Sequence, residues 1–119
     1  MSIGITTHVL DTSCGKPAIG VRIALYRVTT GGGVELLRSA ETNEDGRVPQ
    51  PMLTGEDYTP GTYELVFHVG EYFKRRGVDL TEPAFLDEVP IRFGVASKSS
   101  HYHVPLLIAP WGYSTYRGS

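Results

Sequence analysis

Apolar and polar positions alternate with a period of two along most of the chain. In residues 3 to 10, Ile3, Ile5, Thr7 and Val9 fall on one face and Gly4, Thr6, His8 and Leu10 on the other, the pattern of a half-buried β-strand. His8 therefore points away from the apolar face. Residues 20 to 28 repeat the pattern, with Val21, Ile23 and Leu25 set against Arg22, Ala24 and Tyr26. The Gly-rich turn Thr29 to Gly33 then leads into a third strand around Val34 to Ala40, which reads as a hairpin. Asp45-Gly46 supplies the positive φ that a tight turn needs and places Arg47 at a turn exit. Pro49, Pro51, Gly55, Pro60 and Gly61 make residues 48 to 61 a loop with at most a short edge strand.

Tyr63, Leu65, Phe67 and Val69 alternate with Thr62, Glu64, Val66 and His68 in the next strand. A brief helix is expected from Gly70 to Arg76, because Lys74, Arg75 and Arg76 suit the negative end of a helix dipole and Gly77 suits a left-handed cap. Val89, Ile91, Phe93 and Val95 face one way in the following strand. In the penultimate one Tyr102, Val104, Leu106 and Ile108 form the apolar face, leaving His101, His103, Pro105 and Leu107 opposite. Trp111-Gly112 turns the chain into a last strand-like segment, Tyr113 to Ser119. Seven or eight short strands with one short helix predict an all-β, two-sheet antiparallel β-sandwich. About 40 residues are Val, Ile, Thr or aromatic, types that suit a pleated surface.

The length of 119 residues predicts a single domain over 1–119. With 14 Gly and 8 Pro the composition stays short of low-complexity disorder. The formal charge is −2 and the pI about 6.0, which argues against a nucleic-acid partner, since that needs clustered Lys and Arg. No apolar run is long enough to span a bilayer. Cys14 is the only cysteine, and the first residues lack the basic and apolar regions of a secretory signal, so a cytoplasmic location is expected.

His8, His101 and His103 share polar faces, while His68 reads as an ordinary surface residue. Three imidazoles would suit a three-histidine zinc site. No Asp or Glu follows Glu88 to support such ligands, however, and no metal is expected. Arg92, Lys98 and Arg117 in that acid-free stretch, with Arg47 from its turn, favour an anionic ligand. Guanidinium groups match flat, delocalised oxyanions through paired hydrogen bonds. Tyr113-Ser114-Thr115-Tyr116-Arg117-Gly118-Ser119 is too rich in donors and ring faces for a frayed tail.

Three stretches together resemble the 5-hydroxyisourate hydrolases, the transthyretin-related enzymes of urate breakdown. They are Thr7-His8-Val9-Leu10-Asp11-Thr12 with Gly15-Lys16-Pro17-Ala18, then Gly46-Arg47, and then Tyr102-His103-Val104-Pro105-Leu106-Leu107 through to Tyr116-Arg117-Gly118-Ser119. The final tetrapeptide is the feature that separates these enzymes from transthyretin, their hormone-carrying relative. The resemblance implies a transthyretin-like fold and a cofactor-independent hydrolysis of 5-hydroxyisourate, a small-molecule substrate. It implies His8, Arg47 and His103 as the catalytic trio, with Tyr116, Arg117, Gly118 and Ser119 completing the substrate pocket. It also implies a homotetramer, a dimer of dimers with sites at the dimer–dimer interface. His101 matches no position to which the resemblance gives a role. The competing expectation is a non-catalytic carrier of a small aromatic ligand on the same fold.

Overall fold

The computed structural model describes residues 3–118. In chain order the strands are β1 (Gly4–Asp11), β2 (Lys16–Pro17), β3 (Arg22–Val28), β4 (Val34–Glu41), β5 (Leu53–Thr54), β6 (Gly61–His68), β7 (Glu88–Val95), β8 (Tyr102–Ala109) and β9 (Gly112–Thr115), with helix α1 (Val69–Arg75) between β6 and β7. One sheet has the order β2-β1-β8-β9, with β5 also paired to β1, and the other has the order β4-β3-β6-β7. Their apolar faces meet in one core that includes Ile5 and Leu106 from the first sheet and Leu25, Tyr63 and Phe67 from the second, all fully buried. Burying each such side chain contributes roughly 1.5–3 kcal/mol. Seven strands of four or more residues, two short pairs and one helix match the expected sandwich.

One pairing departs from the antiparallel expectation. β1 and β8 run parallel, with Thr6 opposite His103 and His8 opposite Pro105. Alternation fixes which face of a strand is buried but says nothing of its direction. No short turn joins these two strands, and only such a turn would force them antiparallel. The consequence is functional, because the outward-facing residues of the first and penultimate strands come side by side.

Helix α1 begins where the Val69 and Gly70 N–H groups both donate to the Asp87 carbonyl, each at 3.0 Å. A Cβ at position 70 would crowd the Asp87 carboxylate and backbone, so glycine lets the helix start lie closest to that loop. The helix buries Val69, Tyr72 and Phe73 and ends with Lys74 and Arg75 in its last turn, complementing the helix dipole. Among the described residues no helix is long and apolar enough to cross a membrane.

Tyr72 anchors the inner face of β1. The Asp11 side chain is fully buried and accepts from the Tyr72 hydroxyl at 2.8 Å, from Arg76 Nη1 at 2.7 Å, and from the Ser13 N–H and hydroxyl. Burial alone would raise the Asp11 carboxyl, but the bonds from Ser13 and Tyr72 and the Arg76 charge outweigh it and hold the group below its ordinary range. Burial, together with the Asp11 carboxylate, pushes the Tyr72 hydroxyl up, so it stays protonated as a donor. This cluster ties β1 to the helix and the turn after it.

Candidate active site

The outer face of β1 carries Thr6 and His8, and the outer face at the start of β8 carries His101 and His103. Parallel pairing places these four side chains in one hydrogen-bonded chain. The Gly4 N–H donates to His101 Nδ1 at 3.2 Å. His101 Nε2 meets Thr6 Oγ1 at 3.0 Å, and the same hydroxyl meets His103 Nδ1 at 2.7 Å. His103 Nε2 then meets His8 Nδ1 at 2.7 Å, with the two rings stacked at 4.8 Å between centroids. Among the described residues every ring nitrogen of the three histidines has a partner except His8 Nε2.

Arg47 reaches this face from its turn. Asn43 Oδ1 accepts from the Asp45 and Arg47 N–H groups, and the Val9 N–H donates to the Gly46 carbonyl at 2.8 Å, fastening the turn to β1. Gly46 has φ +71°, and a Cβ there would lie 2.5 Å from the Val9 carbonyl oxygen. Only glycine satisfies both the turn and the close approach. His8 and Arg47 become neighbours in a two-residue antiparallel bridge.

The tail closes the opposite side. The Gly118 N–H donates to the His103 carbonyl at 2.7 Å, and a Cβ at position 118 would lie 2.6 Å from His103 Cδ2. The glycine of the Tyr-Arg-Gly-Ser ending is thus the residue that lets the tail lie against the imidazole. A cleft of about 760 Å³ results, lined by Thr6, His8, Arg47, His101, His103, Tyr116 and Gly118 among others. Extended backbone sends successive side chains to opposite sides, and Arg117 accordingly turns away from Tyr116 and Gly118. Its guanidinium lies 3.9 Å from the Tyr102 ring centroid and donates to the His101 carbonyl at 3.2 Å. Within one chain the Arg117 guanidinium therefore braces the histidine strand, and Arg117 is not among the residues that line this cleft. Ser119 lies outside the described residues.

Burial, and then the positive charge of Arg47, lowers the His8 pKa. Burial, followed by His8, Arg47 and His101, brings that of His103 down to about 4. Both shifts favour the neutral imidazole near pH 7. A neutral pair next to a guanidinium can accept a proton from water while the cation stabilises developing negative charge. His68 lies at the end of β6 in the other sheet, away from the cleft. No group of three or more His, Cys, Asp or Glu among the described residues is arranged to hold a metal ion.

Sequence reasoning placed His8, Arg47, His103, Tyr116 and Gly118 at the site but gave Thr6 no part. The available signal was its position two residues before His8, on the same face of the same strand.

The architecture is transthyretin-like: sea bream transthyretin, solved in complex with thyroxine, superposes with a TM-score of 0.86 over 96% of this chain and 93% of its own, at 23% identity. That likeness concerns the fold alone. Residues 5–118 match the HIUase/Transthyretin family, and the chain belongs to that family. By identity it groups with the hydrolases. 5-Hydroxyisourate hydrolase 2 of Rhizobium meliloti (strain 1021) is 58% identical over 115 residues, covering 97% of this chain and 95% of the relative. The crystal structure of (S)-allantoin synthase matches with a TM-score of 0.92 and 45% identity over 99% of this chain, which spans only 44% of that protein.

Proposed function

We propose that this chain hydrolyses 5-hydroxyisourate to 2-oxo-4-hydroxy-4-carboxy-5-ureidoimidazoline in purine breakdown, opening the C–N bond of the six-membered lactam. The observation that carries this is the meeting of three distant sequence elements in one cleft. His8 and His103 are joined at 2.7 Å, and Arg47 lines the same space. The hydrolase name of a relative 58% identical over nearly its full length supplies the substrate.

In this scheme the histidine pair holds and deprotonates a water, for which an imidazole is suited because its ordinary pKa is near working pH. Arg47 neutralises the oxyanion that forms on the attacked carbonyl. Tyr116 presents a ring and hydroxyl to the flat substrate, and Gly118 lets the tail close the pocket. Arg117, which braces the histidine strand within one chain, completes the substrate pocket in the assembled protein. No cofactor is invoked. A cleft open on an outer sheet face, with the exposed Tyr116 in its wall, supports assembly of a homotetramer in which a neighbouring subunit completes the wall. The free, exposed Cys14 supports a cytoplasmic location.

The test follows the ultraviolet band of freshly made 5-hydroxyisourate. Wild-type protein should remove it far faster than its spontaneous decay, and a form lacking residues 116–119 should not, while remaining folded. Decay equal to buffer with wild-type protein would leave the ligand-carrier reading in its place.

A further inference from the structure

Hydrogen-bond order around Thr6 is constrained at one end. A backbone N–H can only donate, so the Gly4 N–H obliges His101 Nδ1 to accept, and the proton of that imidazole resides on Nε2. His101 therefore donates to Thr6 Oγ1. A hydroxyl has one hydrogen and two lone pairs, which leaves two neutral arrangements for the remainder. In one, Thr6 also accepts from His103 Nδ1–H, His103 Nε2 accepts from His8 Nδ1–H, His8 Nε2 offers a lone pair, and the Thr6 hydrogen is directed to the cleft that Thr6 lines. In the other, Thr6 donates to His103 Nδ1, His103 donates to His8, and His8 Nε2 carries hydrogen.

The two arrangements differ by the transfer of one proton from end to end. We propose that Thr6 is a catalytic residue, the exit of a neutral proton relay that begins at His8 Nε2, and that His101 is the positioning residue that keeps the relay pointing one way. Water gives its proton to His8 Nε2 as its oxygen bonds to the lactam carbon. His8 Nδ1–H passes to His103 Nε2, and His103 Nδ1–H passes to Thr6 Oγ1. The original Thr6 hydroxyl proton goes to the lactam nitrogen as its bond to carbon breaks. The proton taken from water is balanced by the one delivered to the leaving nitrogen, and no imidazolium forms beside the Arg47 guanidinium. His101 cannot accept from Thr6, because its Nε2 is already protonated, so the relay has no side exit. Exchange with solvent at both ends restores the first arrangement after product leaves.

The relay rests on the hydrolase reading above, and its test separates the two. In ¹⁵N-histidine NMR of the unliganded protein near pH 7, His101 should be the Nε2–H tautomer, and His8 and His103 neutral with hydrogen on Nδ1. Hydrogen on Nε2 of His8 and His103, or a cationic His103, would overturn the proposed order without any activity measurement. In turnover of 5-hydroxyisourate, Thr6→Val should lower kcat by about 10²-fold with KM little changed, and Thr6→Ser should recover most of it. Wild type should give a bowed dependence of kcat on deuterium fraction, reporting several protons in flight, and Thr6→Val a straight one. His101→Phe should lower kcat and blur the single tautomer of His103, and His101→Gln, which keeps a donor toward Thr6, should restore both. Wild-type kcat in Thr6→Val would eliminate the relay while leaving the hydrolase intact. Wild-type protein inactive on 5-hydroxyisourate would remove the hydrolase reading while the NMR still reported the tautomers.

Discussion

Strand β1 carries two polar networks, one on each face and three residues apart, and they are built to opposite ends. On the inner face Asp11 is fully buried and every one of its bonds is to protein, with Ser13, Tyr72 and Arg76 around it. On the outer face His8 stands at the end of a chain of four side chains, and its Nε2 opens on a cleft. A closed network fixes structure, since a satisfied buried charge has nothing left to offer a ligand and removing a partner exposes the cost of its burial. An open network holds its groups in register through one another and leaves one atom available. The two should therefore fail differently, one in folding and one in turnover.

The largest difference is expected at the open end. His103→Ala breaks the bond to His8 and the bond to Thr6, and should lower kcat/KM for 5-hydroxyisourate by about 10²–10⁴-fold. Arg47→Ala removes the guanidinium that lines the cleft and should cost a comparable factor if that charge meets the developing oxyanion. Neither side chain is part of the core, so stability to unfolding should fall by no more than about 1.5 kcal/mol. Near-full activity in a folded His103→Ala protein would sink the proton-acceptor role of the pair.

Asp11→Ala should show the reverse. It leaves the buried Tyr72 hydroxyl and the half-buried Arg76 guanidinium without their acceptor, at a cost of about 3 kcal/mol by denaturant unfolding. Turnover per folded molecule should persist below the new melting point, because Asp11 faces the core and not the cleft. Loss of activity with unchanged stability would mean that the two faces of β1 are coupled and that the division drawn above is wrong.

The same division explains what the sequence disclosed. Period-two alternation assigned His8 and His103 to outward faces, and the Asp-Gly turn put Arg47 near one end of a strand, because faces and turns are local properties. The parallel pairing of β1 with β8 is not local, since the strands are joined only through the rest of the fold. The opposition of Thr6 and His103 depends on that register, so the Thr6 hub had no signature beyond sharing a face with His8. The side of the tail on which Arg117 lies was hidden for a related reason. The motif names a tetrapeptide as a unit, while extended backbone divides it between two sides, sending Tyr116 and Gly118 to the cleft and Arg117 to the Tyr102 ring. Asp11 lay within a motif that pointed to the site, yet it faces inward with Thr7 and Val9, as the alternation already implied.

Acid should separate the two networks by pH. Burial first, and the Arg47 charge second, lower His8, and His103 falls to about 4, whereas an unfolded imidazole titrates near 6.5. Between those values the unfolded chain binds protons that the folded chain refuses, so stability falls as pH drops through that window. Asp11 behaves differently, because its folded pKa is held below the ordinary 3.8. Its contribution is present above the unfolded value and is lost only as pH falls through the lower, folded one. Activity should accordingly be flat above about pH 6.5, with the midpoint of its acid limb below that value. Unfolding through Asp11 should follow only in stronger acid. Histidine NMR titration sharpens the assignment independently of turnover. Arg47→Gln removes a charge that opposes imidazolium, so it should move the His8 titration upward, while Asp11→Asn should leave it in place. An acid limb centred at or above pH 6.5, or a His8 titration indifferent to Arg47, would show that the guanidinium and the imidazoles do not share one electrostatic environment.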